Sequence, residues 1–385
     1  MRGSVVVGMS GGVDSSVAAY LLKEAGYEVI GVTMQIWQER DVLEDECEGG
    51  CCGLRAVEDA RRVCMELGIP HYVMNFRREF KQNVIDYFVQ EYAAGRTPNP
   101  CIACNRHVKW EALLHRAIGI GADYIATGHY ARLERLGNGR YTLRASVTAG
   151  KDQTYALYNL TQEQLARTLM PVGEYTKEAV RELARRAGLP VANKPDSQEI
   201  CFVEDNDYAG FIEDYMGKAF LPGNFVDRQG NVMGRHKGII HYTVGQRKGL
   251  GLSLKEPAFV LEIRPRENEV VLGYGREIFA KGALANQINF MSREGIQDGI
   301  LVTAKIRYNH KGAAARLYMR GEDAVYCEFL EEQRAVTPGQ AIVFYEGEYV
   351  LGGGTIVQGV SAGNEGDKKM CIGDGKTDGA KGGLG

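Results

Sequence analysis

Four short runs of apolar and β-branched residues punctuate the first 130 positions: Val5–Gly8, Glu28–Met34, His71–Phe76 and Asp123–Thr127. Between them lie stretches with helical spacing. One begins near Ser15, one covers Ala56–Leu67 with apolar positions Val57, Ala60, Cys64 and Leu67, and one covers Phe80–Tyr92. Runs of strand length alternating with amphipathic helices predict an α/β domain, an open parallel sheet with helices on its faces and ligands at the carboxyl ends of the strands. A further helix over Lys177–Ala187 ends where Gly188 and Pro190 stop it. Past residue 220 the period changes. Phe225-Val226-Asp227 precedes the turn Arg228–Asn231, and Phe259–Arg264 precedes Asn268–Leu272. Leu301–Tyr308, Ala314–Met319, Ala324–Phe329 and Ala341–Tyr345 follow at short intervals. This texture predicts a β-rich half ending in a small barrel. The chain therefore divides into an α/β domain at 1–205, a small β-rich domain at 206–280, a β-barrel at 281–360, and a tail at 361–385. The tail holds eight glycines and four charges of each sign, too little apolar surface to bury, and is expected to be disordered.

Composition narrows the class. In 385 residues, 44% apolar and 25% charged is ordinary globular usage, and the 49 glycines show no Gly-X-Y period, which excludes collagen. Lys and Arg (46) nearly balance Asp and Glu (49), so a polyanionic partner must meet a local patch rather than a basic coat. No run reaches the ~20 apolar residues of a membrane span, and Met1 leads straight toward Ser4-Val5-Val6-Val7. A cytoplasmic protein with no membrane partner is expected. Nine cysteines in such a chain suggest chemistry or metal more than a disulfide frame.

Gly8-Met9-Ser10-Gly11-Gly12-Val13-Asp14-Ser15-Ser16 joins the first strand to the first helix, where successive N–H groups and the helix N-terminus form an anion cradle. It fits neither the Walker A nor the Gly-x-Gly-x-x-Gly pattern. The Ser-Gly-Gly-Val-Asp-Ser string resembles the PP-loop of the ATP pyrophosphatases, with their adenine nucleotide α-hydrolase-like fold. The resemblance implies that ATP is bound by Gly8, Met9, Ser10, Gly11, Gly12, Val13, Ser15 and Ser16, with Asp14 near Mg²⁺. Met34 and Gly128, at strand ends, would flank the adenosine.

Thr97-Pro98-Asn99-Pro100-Cys101-Ile102-Ala103-Cys104-Asn105-Arg106 is a Pro-restrained loop entering a helix expected to start near Asn105. A thiol at a helix N-terminus beside Arg106, His107 and Lys109 should favour its thiolate, which makes Cys104 the first candidate nucleophile. Half of a zinc site, a redox pair or a structural thiol also fit an isolated Cys-x-x-Cys, although zinc needs two more ligands and none is assigned. Asp196-Ser197-Gln198-Glu199-Ile200-Cys201-Phe202 supplies one more cysteine. Taken together, the PP-loop, Thr-Pro-Asn-Pro-x-x-x-Cys-Asn and Asp-Ser-x-x-Ile-Cys-Phe resemble the tRNA-specific 2-thiouridylase family over about residues 3 to 360. Gly50-Cys51-Cys52 and Thr243–Gly251 are further likenesses.

That family implies ATP-dependent 2-thiolation of the wobble uridine of tRNA. The base oxygen is adenylated, a Cys201 persulfide supplies sulfur, Cys104 is the nucleophile, and the two finish as a disulfide. A cysteine desulfurase or sulfur-relay protein is the implied partner beside tRNA. Cys101 stands where the better-known branch has an aspartate, so an acid/base role does not transfer. Cys101, Cys104 and Cys201 holding a 4Fe-4S cluster is the alternative. Residues 206–280 become a central tRNA-binding domain, and the implied tRNA contacts are His129, Lys151, Asp152, Gln153, Arg307, Tyr308 and Gln340. The basic clusters Arg235-His236-Lys237, Arg247-Lys248 and Arg307–Lys311 could meet phosphate, with Tyr242 and Tyr308 stacking on bases. Cys47, Cys51, Cys52 and Cys64 fit no common zinc spacing, and Cys327 and Cys371 look incidental. Competing readings are another PP-loop ligase, such as a tRNA lysidine, argininosuccinate or GMP synthase, and a non-catalytic RNA-binding redox switch.

Overall fold

The computed structural model describes residues 2–36, 54–195, 200–203 and 207–361. Cys47, Cys51, Cys52 and Cys371, and nearly all of the tail, lie outside the described residues. The first part alternates strand and helix: β1 (Ser4–Gly8), α1 (Val13–Glu24), β2 (Glu28–Gln35), α2 (Leu54–Glu66) and β3 (His71–Asn75). Two composite helices follow. The first runs through α3 (Arg77–Phe80), a π-helical stretch at Lys81–Ile85 and α4 (Asp86–Ala93). The second runs through α5 (Pro100–Ala103), a π-helical stretch at Cys104–Ala112 and α6 (Leu113–Gly119). Next come β4 (Tyr124–Ala126), a hairpin of β5 (Ala131–Arg135) and β6 (Tyr141–Ala145), α7 (Gln162–Ala166), β7 (Thr168–Leu169), α8 (Lys177–Arg186) and α9 (Tyr208–Met216).

The first sheet has order β3-β2-β1-β4-β7, and every pairing in it is parallel. The three valines of β1 show how pattern becomes packing. Side chains alternate across a strand, so Val5 and Val7 enter one core, with Val17, Ala18 and Val63, while Val6 enters the other, with Phe80, Phe88 and Trp110. All three are fully buried, as expected of a central parallel strand covered on both faces. The chain winds from β1 toward β3 on one side and reaches β4 and β7 on the other. The crevice beyond the carboxyl ends of β1 and β4 is therefore the switch point where an open α/β sheet holds its ligand.

Four strands, β8 (Gly223–Val226), β9 (Val232–His236), β10 (Ala258–Arg264) and β11 (Glu269–Tyr274), form a small sheet of order β10-β11-β8-β9. The remainder is β12 (Phe279–Phe290), β13 (Ile300–Lys305), β14 (Ala313–Met319), β15 (Ala324–Arg334), β16 (Ala341–Glu346) and β17 (Tyr349–Val360). These run in order β12-β15-β14-β13-β16-β17, and β17 pairs back to β12, closing a six-stranded barrel. Fold class and the order of architectures thus follow the expectation.

Three local expectations are corrected. The cysteine helix starts at Pro100, not near Asn105: Asn99 caps it by accepting from the Ile102 N–H, and Pro occupies the first turn, where its missing N–H costs nothing. Cys101 is thus in the first turn, and Cys104 opens the π-helical stretch one turn later. Tyr242 cannot stack on a base, because it is 2% exposed and packed edge-on between Phe225 and His236. His236 cannot meet phosphate. It is buried, and its ring nitrogens bond the Gly238 N–H and the Asn268 carbonyl.

Candidate nucleotide and thiol site

The β1–α1 turn sits at the switch point. Met9 continues the β1 ladder, its N–H donating to the Val32 carbonyl at 2.8 Å. Gly11 takes φ +66°, and a Cβ there would lie 2.4 Å from the Ala56 carbonyl oxygen at the start of α2. Only glycine fits both demands. Gly12 caps α1, its carbonyl accepting from the hydroxyls of Ser15 (3.2 Å) and Ser16 (2.8 Å), while Ser10 and Ser15 pair through their Oγ atoms at 3.2 Å. Val13, the first residue of α1, is buried as an anchor. Gly8 ends β1, Met34 lies near the end of β2, and Gly128 follows β4. A Cβ on Gly128 would lie 2.5 Å from the Ser15 nitrogen and 2.6 Å from the Asp14 carbonyl carbon. The loop, Met34 and Gly128 therefore converge at the carboxyl ends of adjacent strands.

Asp14, in the first turn of α1, is held by two other segments of the chain. Lys177 Nζ donates to both of its carboxylate oxygens, at 2.8 and 2.9 Å, and the Tyr130 hydroxyl donates to Oδ1 at 2.7 Å. These three bonds leave Oδ2 with a single partner, so the carboxylate can still accept a further donor or cation. The phosphate cradle itself is intact. A second lysine, Lys194, donates to the Gly11 carbonyl at 3.1 Å and pairs with Asp59 at 2.7 Å. Neither lysine, nor Tyr130, is evident from the sequence. They stand far from the loop along the chain in unremarkable local patterns, and only the fold brings them there.

The cysteine helix forms the neighbouring wall. Trp110, fully buried, meets the His129 ring at 5.4 Å, and its indole N–H donates to Thr168. His129 bonds Thr127 through Nδ1 at 2.7 Å, and burial together with the nearby Lys109 holds its imidazole well below its ordinary pKa. Lys109 donates to Asn105, which donates to the Ala156 carbonyl. Cys101 is exposed, whereas Cys104 and Cys201 are half-buried and pack against one core. Phe202 fixes the Cys201 segment to that core, its ring lying 5.7 Å from Phe80, 5.2 Å from Phe88 and 5.3 Å from Phe211. Among the described residues, no three or more His, Cys, Asp or Glu side chains gather to hold a metal. Cys64 and Cys327 are structural: burial pushes Cys64 up to about 11 and Cys327 higher still.

The residues expected to meet tRNA come from both the α/β domain and the barrel. Tyr308 is 41% exposed. Burial first, then Asp152 and Cys101, raise its phenol, and its ring meets that of Tyr155 edge-on at 6.2 Å. Asp152 is turned inward, accepting from the Ser146 N–H and the Thr154 hydroxyl, with Lys305 at 3.8 Å. Gln153 accepts from the Tyr130 N–H, and Lys151 ends a short 3₁₀ turn just before them. Arg307 is exposed and donates to the Arg334 carbonyl. Gln340 donates to the carbonyls of Thr97 and Pro98.

A parallel sheet of this order carrying a glycine-rich anion loop at its switch point defines a nucleotide-binding domain of the HUP class. Residues 3–205 match the family model described as tRNA methyl transferase HUP domain, 209–274 the tRNA methyl transferase PRC-barrel domain, and 280–356 the aminomethyltransferase beta-barrel domain. The chain is 68% identical over 354 residues to the tRNA-specific 2-thiouridylase MnmA of Lachnoclostridium phytofermentans, covering 92% of this chain and 99% of that one. It is 56% identical over 357 residues to the protein of the same name from Clostridioides difficile, covering 92% and 98%. The chain belongs to the tRNA-specific 2-thiouridylase MnmA family. Among the described residues no helix is long and apolar enough to cross a membrane.

Proposed function

We propose that this protein is an ATP-dependent tRNA-uridine 2-sulfurtransferase acting on the wobble uridine in the cytoplasm. One observation carries the reading: Trp110, on the helix that bears Cys104, packs at 5.4 Å against His129, the neighbour of Gly128, which abuts Ser15 and Asp14 of the anion loop; this supports activation and sulfur transfer acting on one base. The family models' descriptions speak of methyl transfer, whereas the relatives are named for thiolation. An anion loop in the same domain as two half-buried thiols that pack against one core supports the second.

In this reading the uridine leaves the anticodon stack. Its 2-oxygen attacks the α-phosphorus of ATP held by Ser10, Gly11, Gly12, Ser15 and Ser16, and pyrophosphate departs. The terminal sulfur of a Cys201 persulfide attacks C2, and the C2–O bond breaks to release AMP. Cys104 thiolate then attacks Cys201 Sγ, breaking the S–S bond and leaving 2-thiouridine and a Cys104–Cys201 disulfide. A thiol reductant reopens the disulfide, and a cysteine desulfurase or relay protein recharges Cys201. Mg²⁺ bound with ATP would neutralise charge on the phosphates, with Asp14 the carboxylate nearest the loop along the chain. Residues 1–205 hold the chemistry, 206–280 and the 281–360 barrel hold tRNA, and His129, Lys151, Asp152, Gln153, Arg307, Tyr308 and Gln340 form the tRNA side.

The test is one turnover with ATP, a charged desulfurase and unmodified tRNA, followed by nucleoside mass analysis. A wobble 2-thiouridine is expected from wild type, and none from Cys104→Ser or Cys201→Ser. Full product from both variants would overturn the reading. Cleavage of ATP without a thiolated nucleoside would point to a different PP-loop acceptor.

A further inference from the structure

Lys177 is a charged side chain where local rules disfavour one. It is the first residue of α8, a ten-residue helix whose N-cap Thr176 accepts from the Ala179 N–H. The N-terminus of a helix carries partial positive charge, so a cation there is at the wrong end. The residue is also 7% exposed. A buried ion pair gives little net stability over an apolar pair of the same volume, so stability does not explain the Lys177–Asp14 pairing. Breaches of local rules of this kind concentrate at functional sites.

The place matters as much as the burial. Asp14 is the second residue of α1, at the helix end that carries the anion cradle. Lys177 Nζ is within 3 Å of both its oxygens, so it stands beside the loop with its N–H donors aimed at loop atoms. Lys194, on the Gly11 carbonyl, is the less buried of the two and pairs with Asp59 of α2 rather than with a residue of the loop. Tyr130 keeps a hydrogen bond to Asp14 Oδ1 of its own, so the carboxylate retains a partner if the lysine turns away.

We propose that Lys177 is a triphosphate-binding residue, which gives up Asp14 and takes β- and γ-phosphate oxygens when ATP enters the loop. The proposal rests on the nucleotide reading of that loop. The exchange gives the lysine several anionic partners in place of one, while Asp14 keeps its Tyr130 bond. The lysine meets a polyanion that also suits the α8 N-terminus, and Asp14 becomes available beside it.

The experiment compares equilibrium binding of ATP and of AMP, without tRNA, to wild type, Asp14→Asn and the double variant Asp14→Asn/Lys177→Met. In the Asp14→Asn background no carboxylate is stranded when the lysine is removed, so the comparison isolates its contact with phosphate. The double variant is expected to bind ATP about 10- to 100-fold more weakly than Asp14→Asn, the range of a charge-assisted contact, with AMP affinity equal in both. Equal ATP affinity in the two variants, or an equal loss for ATP and AMP, overturns the proposal. Absence of ATP binding by wild type would instead overturn the nucleotide reading of the loop. Should the Met variant fail to melt cooperatively, Asp14→Asn/Lys177→Gln takes its place under the same criteria.

Discussion

Gln340, just before β16, donates its side-chain amide to the Thr97 carbonyl at 3.0 Å. It reaches the Pro98 carbonyl at 3.4 Å, and the Thr97 N–H answers with a 2.9 Å bond to the Pro338 carbonyl. Gly339 lets the two segments touch, since a Cβ there would lie 2.9 Å from the Thr97 nitrogen. The barrel is therefore latched to the loop that launches the cysteine helix. Gln340→Ala leaves these carbonyls short of a donor, a cost of about 1 kcal/mol. It should lower the rate of tRNA thiolation several-fold while ATP affinity stays at the wild-type value, as read from single-turnover rates beside equilibrium binding. A matching fall in ATP affinity would mean that the latch supports the whole α/β domain rather than the thiol loop.

Gly128 limits the spacing of β4 and α1. Its substitution by Ala drives a methyl into backbone atoms of Ser15 and Asp14 at 2.5 and 2.6 Å, which have no rotamer by which to yield. Gly128→Ala is expected to weaken ATP binding by an order of magnitude or more. Gly119→Ala is the control: it lies at the end of α6 with nothing within 4 Å of the added carbon, and should bind ATP as wild type does. Equal affinity in the two variants would mean that the nucleotide does not use this crevice.

The contrast between β1 and β17 explains what the sequence discloses. Val5-Val6-Val7 reads as a buried strand because each residue carries a β-branched side chain. β17 and β12 are the longest strands of the barrel, at 12 residues each, yet neither is evident in the residue pattern. β17 carries Gly352-Gly353-Gly354, which reads as a turn. In the barrel those glycines allow close approach: Cβ atoms there would lie 2.3 to 2.5 Å from the carbonyl oxygens of Asn289, Ile342 and Asn286. Such contact is a property of the closed barrel and leaves no period-2 trace. The β5–β6 hairpin is hidden for a similar reason, since it borders β17 from more than 200 residues away. The anion loop and the cysteines are contiguous motifs and can be read directly. Tyr130, Lys177 and Lys194 are assembled only by folding.

Phe202 offers a way to tell activation from transfer. Its ring packs with Phe80, Phe88 and Phe211 next to Cys201, in the core that Val6 enters, whereas Met9 and Val13 of the glycine loop belong to the core on the other face of the sheet. Phe202→Ala removes a buried ring, with a cost of about 3–5 kcal/mol when the surroundings cannot collapse, here met by the Cys201 segment losing its anchor. Transfer from a preloaded persulfide should slow at least tenfold, with ATP–pyrophosphate exchange on tRNA unchanged, and Phe202→Leu should recover most of the rate. Equal losses in both half-reactions would show a general unfolding instead.

His129 makes stability depend on pH in a definite direction. Burial, then the positive charge of Lys109, lowers its pKa in the folded protein from an unfolded value of about 6.5. Above that value the ring is neutral in both states and the contribution is whole. As pH falls below it, the unfolded chain takes up a proton that the folded chain refuses, so stability declines until the folded pKa is reached, by at most about 1.4 kcal/mol per pH unit. Other histidines with lowered values, His71, His236, His241 and His310, act in the same sense, so the total slope assigns nothing to one residue. The difference between wild type and His129→Gln isolates it, because Gln can keep a bond to Thr127 and does not titrate. Melting curves from pH 7.5 to 5.5 should fall more steeply for wild type than for His129→Gln. Lys109→Met removes the second cause and lets the ring titrate nearer its unfolded value, so its acid sensitivity should lie between the two. Parallel curves for wild type and His129→Gln would place that ring in solvent rather than against Trp110.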